Sequence, residues 1–340
     1  MNRSISTIRR SWLPLAAGVV VLIAILVGAF GRANHALAAG SHAGALGTCT
    51  INWTGTAADN QWTTAANWSP VRIPGSTDYA CIPSTSTQAV TISAGTNIVK
   101  GVNSQGSSLS VTTGSLELTD STQSSGITAL SLFGSTMKVD TGASLSLSGS
   151  DSWTGGDITG SGTTTIASGA TLAINVPSGN GAVLHGGHTL ANQGTVNWLS
   201  GAICLSEAAV INNQNLAHFN AQAGDGWNMG DCLGGAAPRF HNLSGGTITR
   251  NGTGAERNNI GVPFDNDGTV QLTAGQLGLA DNSSGSSDSG TYSLASGTYL
   301  VLNGPARTFG AGASVSGAGV LFLNAGTTVF TSTRDRKSVV

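Results

Sequence analysis

Two stretches in the second half of the chain match one another at spaced positions. His188–Leu205 reads HTLANQGTVNWLSGAICL and Val262–Leu279 reads VPFDNDGTVQLTAGQLGL, so Asn192/Asn266, Gly194/Gly268, Thr195/Thr269, Val196/Val270, Gly201/Gly275 and Leu205/Leu279 coincide. Looser copies lie between them, INNQNLAHF around Asn213 and FHNLSGGTI around Asn242, which spaces the four asparagines 21, 29 and 24 residues apart. A period of this size, built of short β-type runs and Gly/Asn turns, is the signature of stacked coils. A hairpin-built sandwich reverses direction every ~8–12 residues and keeps no such long-range register.

Stacking like over like has a direct physical consequence. Successive coils lie about 4.8 Å apart, within reach of a side-chain amide. Asn192, Asn213, Asn242 and Asn266 are therefore expected to form an inward ladder that satisfies amides otherwise buried unpaired. The glycine two residues on is expected to supply the positive φ of a sharp corner. Upstream, TGASL at Thr141–Leu145, SGATL at Ser168–Leu172 and SGTYL at Ser296–Leu300 extend the repetition. The pattern W-x-x-G-x-I occurs at Trp153–Ile158 and Trp198–Ile203, an interval of about two coils. Pairs such as Leu116/Leu118, Leu145/Leu147 and Val270/Leu272 alternate as half-buried strands do, and no stretch after Phe30 carries a helical stripe. The expected fold is all-β: a right-handed parallel β-helix (β-solenoid) over residues 84–334.

Only 9% of the residues are charged, and no basic or acidic block exists. Nothing could neutralise a run of phosphates, so no nucleic-acid partner is expected. Arg3, Arg9 and Arg10 precede the apolar run Trp12–Phe30, and Ala36-Leu37-Ala38 follows as a cleavage pattern. Residues 1–38 read as a signal peptide, with a retained signal anchor as the alternative and the membrane contacted only through that segment. Residues 39–47 read as a linker. Removing residues 1–38 takes away four arginines and moves the formal charge from −2 to −6. The expected location is secreted or cell surface.

Four cysteines remain after export, Cys49, Cys81, Cys204 and Cys232, and an oxidising location favours disulfides. The expected pairs are Cys49–Cys81, enclosing a tryptophan-rich segment, and Cys204–Cys232, enclosing an irregular segment Leu205–Asp231 that widens the repeat. A zinc site of Cys204, Cys232, His185 and His188 lacks ligand spacing, so no metal or other cofactor is expected.

Residues 48–83 have a texture of their own, TCTINWTGTAADNQWTTAANWSPVRIPGSTDYACIP. The pattern runs through Trp53, Gly55, Trp62, Thr63, Ala65, Asn67, Trp68, Ile73, Pro74, Gly75, Asp78, Ala80 and Ile82. It resembles the segment that opens the passenger region of bacterial surface β-helix proteins with autotransporter-associated β-strand repeats. The resemblance implies a cap on the first coil of an exported solenoid and carries little about activity. Trp53, Trp62 and Trp68 are also candidate glycan-stacking residues, since aromatic faces pack on pyranose rings.

Catalytic constellations are sparse. The polysaccharide lyases and polygalacturonases that share parallel β-helices need clustered acids, R-x-K or G-H-G, and none of these motifs occurs. Asp265-Asn266-Asp267-Gly268 resembles part of a calcium loop but falls on the repeat corner, where a turn is expected. Asp225 and Asp231 with Trp227, in AGDGWNMGDC, form the best acid–aromatic cluster and are the second candidate glycan site. Residues 335–340, DRKSVV, break the composition and correspond to a translated sequencing adapter, so they are read as a non-native tail. The expected function is an exported, non-catalytic solenoid, structural or adhesin-like, with an extracellular glycan or surface protein as partner. The alternative is a β-helix carbohydrate-active enzyme, a lyase or glycoside hydrolase.

Overall fold

A computed structural model describes residues 45–86, 89–177, 181–224, 226, 228–252, 257–280 and 286–331. The expected signal segment, most of the expected 39–47 linker and the expected 335–340 tail lie outside the described residues. Among those described, the chain winds through three long sheets. Sheet A has 14 strands, beginning with Trp68–Ser69, Ile51–Trp53 and Tyr79–Ile82 and ending with Thr327–Phe330. Sheets B and C have 11 strands each, running from Val90–Ile92 to Ser314–Gly317 and from Thr96–Val99 to Val320–Leu323. From Tyr79 on, each coil gives one strand to A, then B, then C, and sheet neighbours are parallel and one coil apart. The expected β-solenoid is therefore the observed architecture.

Alternation sets what fills it. Strands such as Ala129–Leu132 and Ser144–Leu147 bury every second side chain, because a period of two sends Leu inward and Ser outward. The interior is one continuous core from Ile51 to Leu321, with the rings of Phe219, Phe240 and Phe264 tilted against one another at 5.0 and 5.3 Å. The two W-x-x-G-x-I copies prove to be one device used twice. Trp153 and Trp198 turn inward, and each indole N–H donates to the carbonyl of the glycine three residues on, Gly156 at 3.1 Å and Gly201 at 2.7 Å. Both glycines have positive φ, so the tryptophan fastens a corner only glycine can turn.

The asparagine ladder is present. Nδ2 of Asn192 donates to Oδ1 of Asn213, Asn213 to Asn242 and Asn242 to Asn266, each at 2.8 Å. The second amide proton of each reaches the first residue of a sheet B strand one coil on: His218, Thr247, Thr269 and, from Asn266, Thr291. All four side chains are fully buried. Above Asn266 the row continues as Asp288, which accepts from the Asn266 backbone N–H at 3.0 Å. Asp288 in turn is held by Arg307, whose guanidinium also donates to the Tyr292 hydroxyl and the Phe264 carbonyl. The amide ladder thus ends on a buried ion pair.

Four details differ from expectation. Gly194 and Gly268 do not have positive φ; a Cβ there would lie 2.4 Å from the Ala167 carbonyl oxygen and 2.3 Å from that of Gly246. Close approach of the coil below, not backbone handedness, demands glycine. TGASL, SGATL and SGTYL are not equivalent points of one period. They lead into Ser144–Leu147 of sheet A, Thr171–Asn175 of sheet B and Tyr299–Leu302 of sheet C, because the same turn serves all three corners. Leu205 and Leu279 do not share a row: pairing runs Ile203–Met229–Ile260–Leu279, a shift of two residues that keeps the same face inward. Finally, Leu205–Asp231 is not irregular throughout: it holds strands Val210–Asn213, His218–Ala221 and Asn228–Gly230 of the regular coil, and the widening of the repeat falls between Ala221 and Arg239. Both expected disulfides form, Cys49–Cys81 and Cys204–Cys232, and the second staples two consecutive coils.

Interior rungs should matter most. Asn213→Leu or Asn242→Leu removes an amide that both donates and accepts in the ladder, and leaves its neighbours short of a partner. Each should cost about 1–3 kcal/mol in denaturant unfolding, whereas a solvated turn asparagine would cost a few tenths. Stability equal to the parent in both variants would show that the ladder carries no weight.

Candidate functional site

The tryptophan-rich cap holds most of the unusual residues of the chain. Strand Ile51–Trp53 pairs antiparallel with Trp68–Ser69 and parallel with Tyr79–Ile82, so residues 51–82 fold back over the start of sheet A. Trp68 is the centre of an aromatic cluster, edge-on to Trp53 at 5.0 Å and to Trp62 at 4.8 Å. Its indole N–H donates to the Trp62 carbonyl at 2.8 Å. Trp53, Trp62 and Trp68 are all buried. Their faces pack on one another and on the core, so the expected stacking platform for a sugar is not formed; the cap role accounts for all three.

The remaining motif positions act as fasteners. Asn67 accepts from the Ala57 N–H at 2.8 Å and donates to Asp59 and the Gln61 carbonyl, pinning the 54–61 loop. Asp78 accepts from both terminal nitrogens of Arg72, from Gly75 N–H at 2.8 Å and from the Thr50 hydroxyl at 2.9 Å. The Arg72 guanidinium holds the Asp78 carboxyl down to about 2. That contribution to stability is present above the ordinary carboxylate range and is lost as pH falls through about 2. Residues 45–47, at the end of the expected linker, also pack down: Leu46 bridges Ser124, and Ser124 N–H donates to Ala45.

A shallow depression of about 320 Å³ lies on this cap, between the 54–60 loop and the 83–86 turn, with Trp53 and Gly55 in its wall. No sequence pattern marks it, because the two rims are far apart along the chain and meet only through coiling.

The second candidate glycan site is only partly described. Asp225 and Trp227 lie outside the described residues. Asp231 accepts from the Ser206 hydroxyl at 2.5 Å and from Gly234 N–H at 2.9 Å, so it fastens the turn beside the Cys204–Cys232 disulfide. Asp265 pairs with Arg239 and receives the Ser287 N–H, and Asp267 accepts from Ser289, which makes the calcium-like tetrad a braced corner. His188 is buried with its ring nitrogens 3.0 Å from the Gly160 carbonyl and the Thr164 hydroxyl. Burial pushes it down to about 4, and with both nitrogens engaged and both cysteines oxidised, the zinc set is dismantled. Among the described residues no group of His, Cys, Asp or Glu could hold a metal ion.

One titratable group stands apart. Asp151 points into the core of sheet B in register with Leu172, accepts only the Leu130 N–H at 2.7 Å through Oδ1, and leaves Oδ2 buried without a partner. Burial pushes its carboxyl up to about 7. Raised in the folded state, it favours folding fully below the ordinary carboxylate value, and this advantage is lost as pH rises through about 7. Asp151→Asn should therefore raise stability at pH 8, by up to about 4 kcal/mol, and much less at pH 4. Melting curves of both proteins at the two pH values measure this; a pH-independent difference would contradict burial as the cause. Set against known proteins, the chain matches no family model, no curated protein and no solved structure.

Proposed function

We propose that the chain is an exported, non-catalytic β-solenoid acting outside the cell as a structural or adhesin-like rod. The observation that carries this reading is the use to which its acids are put. Asp78, Asp231, Asp265, Asp267 and Asp288 each hold a turn, a corner or an arginine. Hydrolysis or elimination in a sugar needs acids and bases converging on a groove, free of such duties. Here they are spread along a stack of about 50 Å, the length of 11 coils at the strand spacing.

Two disulfides suit an oxidising location, and the outer rows of sheet B suit display. Ser108/Ser110, Ser150/Ser152, Thr247/Thr249 and Thr291/Ser293 present pairs of short neutral hydroxyls, and Thr171, Thr195, Asn197 and Asn220 lie on the coils between the second and third pairs. Such a surface is soluble without charge and offers a repeated hydrogen-bonding pattern to a glycan or to another surface protein.

The rod reading makes a forecast that the enzyme reading does not share. The purified full chain, with and without calcium, should release no product from pectin, alginate, xylan or chitin, and cell fractionation of the native host should find it outside the cytoplasm. Turnover of any of these polymers that disappears in Asp225→Ala or Asp231→Ala would replace the rod with a carbohydrate-active enzyme.

A further inference from the structure

The depression on the cap has the features of a built site. Its volume, about 320 Å³, falls at the lower end of small-ligand pockets. Trp53 is only 5% exposed, yet among the described residues its indole N–H has no acceptor. Trp68, its neighbour in the same cluster, spends its own N–H on a backbone carbonyl. Gly55 leaves the Trp53 edge uncrowded: a Cβ there would stand 3.2 Å from Nε1, and both residues line the depression.

The opposite cost appears in the loop. Gly55, Ala58 and Asn60 have φ of 68°, 60° and 56°. Left-handed backbone is free for glycine but strained for alanine, and such strain persists only where the surroundings impose it. Asn67 imposes it from below through Ala57, and the Thr91 N–H holds the Asn60 carbonyl at 2.8 Å. The loop is thus fixed in shape before any ligand arrives, which lowers the ordering cost of binding.

The lining sets the ligand class. Thr54, Asn60, Thr85 and Ser86 bring neutral polar groups, Pro83 brings an apolar surface, and among the described residues no charged side chain takes part. A partner must then be neutral, rich in hydroxyls and apolar on one side. We propose that this depression binds one neutral pyranose unit, either as a free monosaccharide or as the terminal unit of an extracellular glycan, with the Trp53 N–H donating to a ring hydroxyl. The inference leans on the extracellular reading only for the source of the sugar.

Saturation-transfer NMR on the full chain tests it, with glucose, galactose, mannose and xylose as probes, glucuronate as the charged control, and neutral oligosaccharides ending in the best monosaccharide. At least one neutral pyranose should bind in about the millimolar range. Trp53→Phe keeps the packed ring and should weaken binding about tenfold, the worth of one hydrogen bond. Thr85→Trp, on an exposed turn, should fill the depression and abolish binding with the melting curve unchanged. Tighter binding of the oligosaccharide assigns the site to a glycan end; equal binding assigns it to the free sugar. No neutral pyranose binding to the parent chain, undiminished binding in Thr85→Trp, or equal binding of glucuronate each overturns the proposal. None of these results touches the exported rod, which fractionation tests separately.

Discussion

Everything in this fold depends on coils lying directly above one another at the spacing of a parallel strand pair. Backbone hydrogen bonds then run along the axis, and whatever side chain occupies an inward position meets its counterpart one coil away. For apolar residues that means stacked Leu, Ile, Val and Phe. For asparagine it means an amide whose donors and acceptor all find partners in the interior, a place where an isolated amide would be expensive. The four-rung ladder from Asn192 to Asn266 couples sheet A of one coil to sheet B of the next, and so fixes both spacing and rotation of the stack.

The same constraint makes the ends and the exceptions informative. Where the row leaves asparagine it passes to Asp288, and the uncompensated charge is met by Arg307 in the next coil. A buried pair of this kind tolerates loss of both partners better than loss of one. At the start of the stack the row of parallel strands needs a lid, and the folded-back segment 51–82 provides it with three packed tryptophans and the Arg72–Asp78 pair.

The period, the all-β class, the ladder and both disulfides were legible because each follows from residue type and spacing alone. Asn recurring near two dozen residues, flanked by Thr-Val, suits a stacked coil and little else. What escaped was anything decided by depth or by neighbours in space. Gly194 and Gly268 look like turn glycines, but their necessity comes from carbonyls one coil below. The tryptophans of the cap look like a sugar platform until burial closes their faces. The offset between Ile203 and Leu279 escaped because the corner from sheet B to sheet C is two residues longer after Leu272 than after Trp198, and a shift of two preserves the hydrophobic pattern. The depression beside Trp53 escaped for the same reason: its walls come from different parts of the chain.

That offset also has a mechanical side. Sheet C is narrowest there, with two paired rows on each side of Asn228–Gly230, against four between Arg257–Ile260 and Gln276–Leu279. Coils are held to one another by such rows, and within sheet C this coil has the fewest of them. The Cys204–Cys232 link spans that seam on one side. Oxidised, the link joins the two coils covalently across the thin stretch of sheet C; reduced, that stretch rests on its two paired rows alone.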